Sequence, residues 1–146
     1  MSYLVDTNIL LRSVQETHSM HEVAVQAVKS LFEQSEMLCI LPQNLIEFWV
    51  VATRPIAMNG LGLSVNDGLE ELEQLKTTFI LLSDTEIIFP TWEHLIVKYG
   101  VMGKPAHDAR LVAAMIVHNL THLLTFNTAD FKRFSEISAI APHSIS

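Results

Sequence analysis

The chain has 146 residues, 49% of them hydrophobic, which is the size of one domain (residues 1–146) with a sizeable core. Its 16 acidic residues against 9 basic ones argue against a polyanion held by a basic footprint, unless some acids converge on cations that reverse the local field. No uninterrupted apolar run approaches the roughly 18 residues of a membrane span, and Asp6 and Asn8 break the apolar N-terminus where a signal peptide would continue, so a cytoplasmic protein without a membrane partner is expected.

In chain order, the first strand is expected over residues 2–6. Ser19 to Glu22 ("SMHE") has the spacing of a capping box, and Val23, Ala24, Ala27, Val28, Leu31 and Phe32 recur behind it at helical spacing, predicting an amphipathic helix to about Gln34. A short strand, 37–40, leads into "PQNLIEFWVVATRP", where Pro42 suits a first helical turn and Pro55 marks the stop. "NGLGL" (59–63) is a turn signal, Ser64 is the expected N-cap of a helix through Leu69, Leu72 and Leu75, and "FILLS" (79–83) is the third strand. "SDTE" (83–86) is a second capping-box candidate, ahead of a helix that Pro90 kinks or delays and that ends before Gly100. The last helix, about 107–118, is apolar nearly all round and should be deeply buried. A fourth strand (122–126), a helical turn through Phe131 and a weak strand (138–141) complete the chain. This alternation predicts an α/β fold, a parallel sheet covered by helices on both faces, with sites beyond the carboxyl ends of the strands.

Four acidic regions bear on function. Asp6 ends the first strand and so lies at the functional edge, although an Asp there also caps a following helix, as Thr7 or Asn8 could. Glu47 interrupts the apolar "NLIEFWVVA" and needs a partner or a metal if buried, yet it shares a helical stripe with Gln43, Val51 and Arg54, an ordinary polar face. Asp108 sits in the first turn of the last helix, where the helix N-terminus favours the ionised form, and dipole pairing alone would account for it. "TFNTADF", Thr125 to Phe131, returns to the same edge, so Asp130 or Asn127 is within reach of the others, unless Thr128 or Asn127 merely caps the turn.

Taken jointly, three or four acids near strand ends and early helix turns read as a carboxylate pocket. Like charges that close raise a pKa or bind cations, and oxygen-only donors suit Mg²⁺ or Mn²⁺ rather than zinc. A histidine zinc site is disfavoured, because the helix should end between His118 and His122, and His18 and His21 flank a helix start and are expected to be exposed. Cys39, alone in "MLCIL", is expected to be a small core residue, and no Gly-rich phosphate loop is present.

The order "LVDTNILLR", Glu47 in a mid-chain helix, then "GKPAHDARLVAAMIVHNLTHLLTFNTADF" resembles the PIN-domain nucleases, especially the VapC-like toxins of bacterial toxin–antitoxin pairs. "VVATRP" followed by "NGLGL" also looks typical of one subgroup. The resemblance covers nearly the whole chain and implies a three-layer α/β/α sandwich with a five-stranded parallel sheet of order 3-2-1-4-5. It implies that Asp6, Glu47 and Asp108 are metal-binding acids, with Thr7 and Asn8 supporting the first; Thr125 and Asn127 are further supporting candidates at the same edge. At the fourth position some members place an acid where Asn127 stands, whereas this chain offers Asn127 and then Asp130. It further implies a homodimer, an RNA substrate and a small antitoxin partner.

The expected chemistry is hydrolysis of an RNA phosphodiester with one or two Mg²⁺ or Mn²⁺ ions. With Asp6, Glu47, Asp108 and Asp130 set aside, 12 acids remain against 9 basic residues, and Arg12, Arg54, Lys104, Lys132 and Arg133 flank the edge as candidate phosphate contacts. A catalytically weak or inactive partner-binding module is the competing reading, with residues 45–52 and 56–63 as its apolar surface. A DNA nuclease or a phosphatase is a further possibility. An aspartyl-phosphate phosphatase, however, would carry a second acid at Asn8.

Overall fold

The computed structural model describes residues 1–146. Short apolar runs form β1 (Ser2–Val5), β2 (Met37–Ile40), β3 (Ile80–Leu81), β4 (His122–Leu124) and β5 (Ser138–Ile140). All paired strands run parallel in the order β3-β2-β1-β4-β5, the order the resemblance implied. Parallel neighbours need long crossovers, and the helices supply them: α1 (Thr7–Val14), α2 (His21–Glu33), α3 (Pro42–Thr53), α4 (Val65–Thr78), α5 (Ile88–Tyr99) and α6 (Pro105–Val117).

Successive strand residues point to opposite faces, so each strand feeds two cores. Tyr3 and Val5 of β1, Leu38 and Ile40 of β2 and Leu124 of β4 pack with Ile9, Leu10, Leu31, Phe48 and Leu75 from α1 to α4. Leu4, Cys39 and Leu123 pack on the other face with Leu95 of α5 and with Leu111 to Met115 of α6. Helices therefore cover both sides of the sheet in three layers. Cys39 is a buried free thiol, pushed above its ordinary pKa by burial, as expected of a core residue. No helix is long and apolar enough to cross a membrane.

Several local expectations need correction. The sequence reading passes from the first strand to the helix behind Ser19 and misses α1, an eight-residue helix too short for a clear periodic signal. Neither capping box forms. Helix α2 starts behind Met20 without a side-chain cap, because the His18 ring takes the Met20 amide and the His21 ring bonds the Arg12 carbonyl, both histidines being half-buried rather than exposed. Helix α5 starts only at Ile88, the delay expected of Pro90, which falls in the first turn where no amide is needed. The third strand shrinks to an edge pair, Ile80 and Leu81, and the fourth ends at Leu124, two residues earlier than expected. Ser64 does cap α4, its Oγ accepting the Asp67 amide at 3.1 Å.

The "NGLGL" turn folds back on the end of α3. A Cβ at Gly60 would overlap the backbone carbonyl of Arg54, which itself accepts the Gly62 amide at 2.9 Å and cannot withdraw. Gly60→Ala is therefore expected to cost about 2 kcal/mol or more, lowering the thermal midpoint by roughly 4–8 °C. An unchanged melting curve would contradict this packing.

Candidate active site

The chain steps from β1 to β2 and β3 in one direction, then returns to place β4 on the other side of β1. The switch point of the sheet thus lies between the carboxyl ends of β1 and β4, the crevice where open parallel sheets hold ligands. Asp6 follows β1 and Thr125 follows β4, and both are buried. The Thr125 hydroxyl donates to Asp6 Oδ2 at 2.8 Å, while Asp6 Oδ1 accepts the Thr7 amide at 2.8 Å as N-cap of α1. Capping and a buried functional carboxylate are both true of Asp6, one oxygen for each.

Asn8 ties the same crevice together. Its Nδ2 donates to Thr125 Oγ1 at 3.2 Å and lies 3.5 Å from Asp6 Oδ2, and its Oδ1 accepts the Phe126 amide at 3.2 Å. The Asn127 amide closes the turn on Thr125 Oγ1 at 3.0 Å, but the Asn127 side chain is exposed.

Helix α3 begins directly after β2, so its first turns stand at the same edge. Glu47 Oε1 accepts the Thr7 hydroxyl at 2.8 Å, a link between α1 and α3. Asn44 fixes the direction of that bond: its Oδ1 accepts the Leu41 amide at 2.9 Å, and its Nδ2 faces Thr7 Oγ1 at 3.3 Å, leaving the Thr7 proton for Glu47. Gln43 holds the other carboxylate oxygen, Nε2 to Glu47 Oε2 at 3.2 Å, so the polar stripe foreseen on this helix is real through Gln43. Sequence reasoning overlooked Asn44, because its complete burial is set by packing and is not legible from the residues alone.

Asp108 lies in the first turn of α6, which starts two residues earlier than expected, at Pro105. With Glu47 and Asp130 it lines a cavity of about 740 Å³ that also carries Lys104, Lys132 and Arg133. Asp6 is not among the lining residues; its connection to the cavity runs through Thr7 to Glu47. Burial first, then the neighbouring charges of Glu47 and Asp108, pushes the Asp6 carboxyl up to about 6, against the lowering effect of the Thr125 and Thr7 bonds. Burial, then Asp130 and Glu47, pushes Asp108 up to about 6 as well. Asp6 and Asp108 therefore each feel the charge of Glu47, and Asp130 acts on Asp108.

Other candidates fall away from this edge. Arg12 bonds Gln15 at 2.6 Å, and Arg54, at the far end of α3, reaches the Asn59 carbonyl at 3.5 Å; neither lines the cavity. His118 bonds the Ser83 carbonyl and His122 bonds Thr121, so the pair makes no joint site.

An oxygen-only donor set with two acids held to a pKa of about 6 by burial and mutual repulsion fits a hard divalent cation in chemistry. The donors are gathered but not closed: no three acids are already disposed around one point that could hold an ion.

A three-layer α/β/α sandwich whose acids converge at the carboxyl edge of a 3-2-1-4-5 parallel sheet is a PIN-like architecture. The chain belongs to the PIN domain family, whose model matches residues 3–137. No curated protein matches it in sequence. In fold it is similar to VapBC2 of Rickettsia felis bound to a DNA fragment from the pair's promoter, with TM-score 0.70, 15% identity, and coverage of 97% of this chain and 98% of that one. It is also similar to a toxin–antitoxin complex from Klebsiella pneumoniae, with TM-score 0.65, 21% identity and 96% and 97% of the two chains covered. A third similar structure is Mycobacterium tuberculosis VapC20, a sarcin-ricin loop cleaving toxin, at TM-score 0.60 and 16% identity over 83% of this chain and 86% of that one.

Proposed function

We propose that this chain is a metal-dependent endoribonuclease, the toxin of a toxin–antitoxin pair acting in the cytoplasm. The observation that carries the reading is the placement of Asp6, Glu47, Asp108 and Asp130 along the carboxyl edge of a PIN fold, with Asp6 and Asp108 each raised to about 6 by burial first and by acidic neighbours second. Similarity to a sarcin-ricin loop cleaving toxin supports RNA over DNA, and similarity to a toxin–antitoxin complex supports a small antitoxin partner.

Asp6, Glu47, Asp108 and Asp130 would hold one or two Mg²⁺ or Mn²⁺ ions. Such an ion supplies Lewis acidity and a water of lowered pKa. Asp6 and Glu47 are fixed in advance by Thr7, Thr125 and Gln43, whereas the half-buried Asp108 and exposed Asp130 keep the freedom to close on them. Thr7, Asn8 and Thr125 keep the Asp6 oxygens oriented, and Lys104, Lys132 and Arg133 on the cavity wall pair with backbone phosphates. These three cations answer the acidic composition: the field along the cavity is mixed, not uniformly negative.

A homodimer is the proposed assembly, with the exposed Ile46 and Val50 of α3 and Ile56 and Met58 behind it as the apolar surface for a second copy or the antitoxin. The open arrangement of the acids favours one alternative, a catalytically weak partner-binding module on the same fold.

The deciding experiment is end-mapping of RNA incubated with the purified chain, with Mn²⁺ and with excess EDTA. Because water rather than the ribose 2′-hydroxyl attacks, 5′-phosphate and 3′-hydroxyl ends are expected, and chelation should stop their formation. Ends carrying 2′,3′-cyclic phosphate, or cleavage that survives EDTA, would refute the mechanism.

A further inference from the structure

Next to the acidic cavity, and sharing His107 with it, lies a second one of about 270 Å³ lined by Phe89, Trp92, Ala106, His107 and Arg110. Phe89 is 63% exposed, yet its ring stacks on Trp92 with centroids 5.5 Å apart and planes 30° from parallel. The indole is fixed, since Trp92 Nε1 donates to the Ala106 carbonyl at 2.8 Å. Arg110 is held from two sides, donating through Nη1 to Gln43 Oε1 at 3.0 Å and pairing with Asp84 at 3.4 Å. Gln43 is also the residue that holds Glu47 and bonds the His107 carbonyl at 3.0 Å. One side chain therefore joins the guanidinium of this cavity to a carboxylate of the candidate site.

We infer that this cavity is a subsite for one unpaired nucleobase of the RNA. Proteins that take single-stranded nucleic acid stack its bases on exposed aromatic rings and on guanidinium planes, beside a cationic track for the phosphates. All three elements are present: Phe89 with Trp92, Arg110, and the wall of Lys104, Lys132 and Arg133 in the adjoining cavity. The volume falls just below the roughly 300–1,000 Å³ of whole-ligand pockets, which suits a single flat heterocycle better than a protein helix. Because Trp92 and Arg110 are already immobilised by hydrogen bonds, little ordering is left to oppose binding. That the phosphate of a base seated here enters the adjoining cavity, which Glu47 lines, rests on the ribonuclease reading; the binding of a base does not.

The test is a metal-free titration in EDTA of a Trp49→Phe variant, in which Trp92 is the remaining tryptophan, with a short single-stranded RNA and with a duplex of the same sequence. The single strand is expected to quench Trp92 fluorescence, and Phe89→Ala, an exposed position that the fold tolerates, should weaken its affinity about tenfold or more while leaving duplex binding unchanged. Filter binding of the same RNAs to the otherwise native chain and to Phe89→Ala gives the affinities independently of any effect of Trp49→Phe. Single-strand affinity unaltered by Phe89→Ala, equal loss for single strand and duplex, or quenching that follows protein concentration without RNA would overturn the assignment, the last by giving the face to a second copy. Quenching by RNA in a chain that never cleaves would sink the ribonuclease reading alone, and metal-dependent cleavage without a Phe89 effect would sink this inference alone.

Discussion

Asp6→Asn is expected to lower metal-dependent RNA cleavage by about 10–100-fold or more while the chain stays folded. The substitution keeps size and shape, and its amide oxygen can still cap α1 at the Thr7 amide. What it removes is charge at the one acid buried in the switch-point crevice. The same variant reports on stability with a definite sign. The folded-state pKa of Asp6 is raised from 3.8 to about 6, so the folded chain binds more protons than the unfolded one between those values. Stability from this group is therefore full below the unfolded value, falls as pH rises through that window, and stays low above about 6, by a penalty of about 3 kcal/mol. Metal-free Asp6→Asn should accordingly unfold later than the native chain at pH 8 and show no such advantage near pH 4, in paired thermal melts. An Asp6 that served only as a helix cap would give a variant equal to or weaker than the native chain at both pH values, with cleavage unimpaired. Unchanged toxicity and partner binding in Asp6→Asn would favour the binding module.

Addition of Mn²⁺ should raise the thermal midpoint of the native chain at pH 8 and leave it nearly unchanged at pH 5. A ligand present at a hundred times its dissociation constant stabilises the folded state by about 2.7 kcal/mol, which for a chain of this size is roughly 5–10 °C. Ligating carboxylates must be deprotonated, and both Asp6 and Asp108 hold their protons to about 6, so below that pH the ion has to displace two protons before it binds. Calorimetry with Mn²⁺ at the two pH values checks the same point through proton release. A shift of equal size at pH 5 and pH 8, or one that persists in Asp6→Asn, would place the ion somewhere other than at these acids.

Much of this protein is legible in its amino-acid sequence. Helix α3 was bounded by Pro42 and Pro55, α4 by Ser64, and α6 by its continuous apolar run, because each carries a local chemical signal that acts within one or two turns. The first strand was recognisable for the same reason, and Asp6 stood out as its abrupt end. Signals that depend on competition were misread. Ser19 to Glu22 and Ser83 to Glu86 match a capping pattern, but the His18 and His21 rings satisfy the first start, and the chain turns after Thr85 before α5 begins. Helix α1 went unseen because eight residues give barely two turns of periodicity.

The sequence by itself determined most of the elements, α1 excepted, and that the acids fall at strand ends and early helix turns, since those properties follow from side-chain periodicity and from the residue types that stop a strand. Only the tertiary structure decided which acids meet. Asp6 and Thr125 are 119 residues apart, and Thr7 and Glu47 are 40 apart; their bonds exist because β4 returns beside β1 and α3 starts beside α1. The approach of Asp130 to Asp108, the exclusion of Arg12 and Arg54 from the cavity, and the aromatic pair beside it share that cause. Local sequence sets the direction of a side chain relative to its own element, whereas packing of the sheet sets where that element stands.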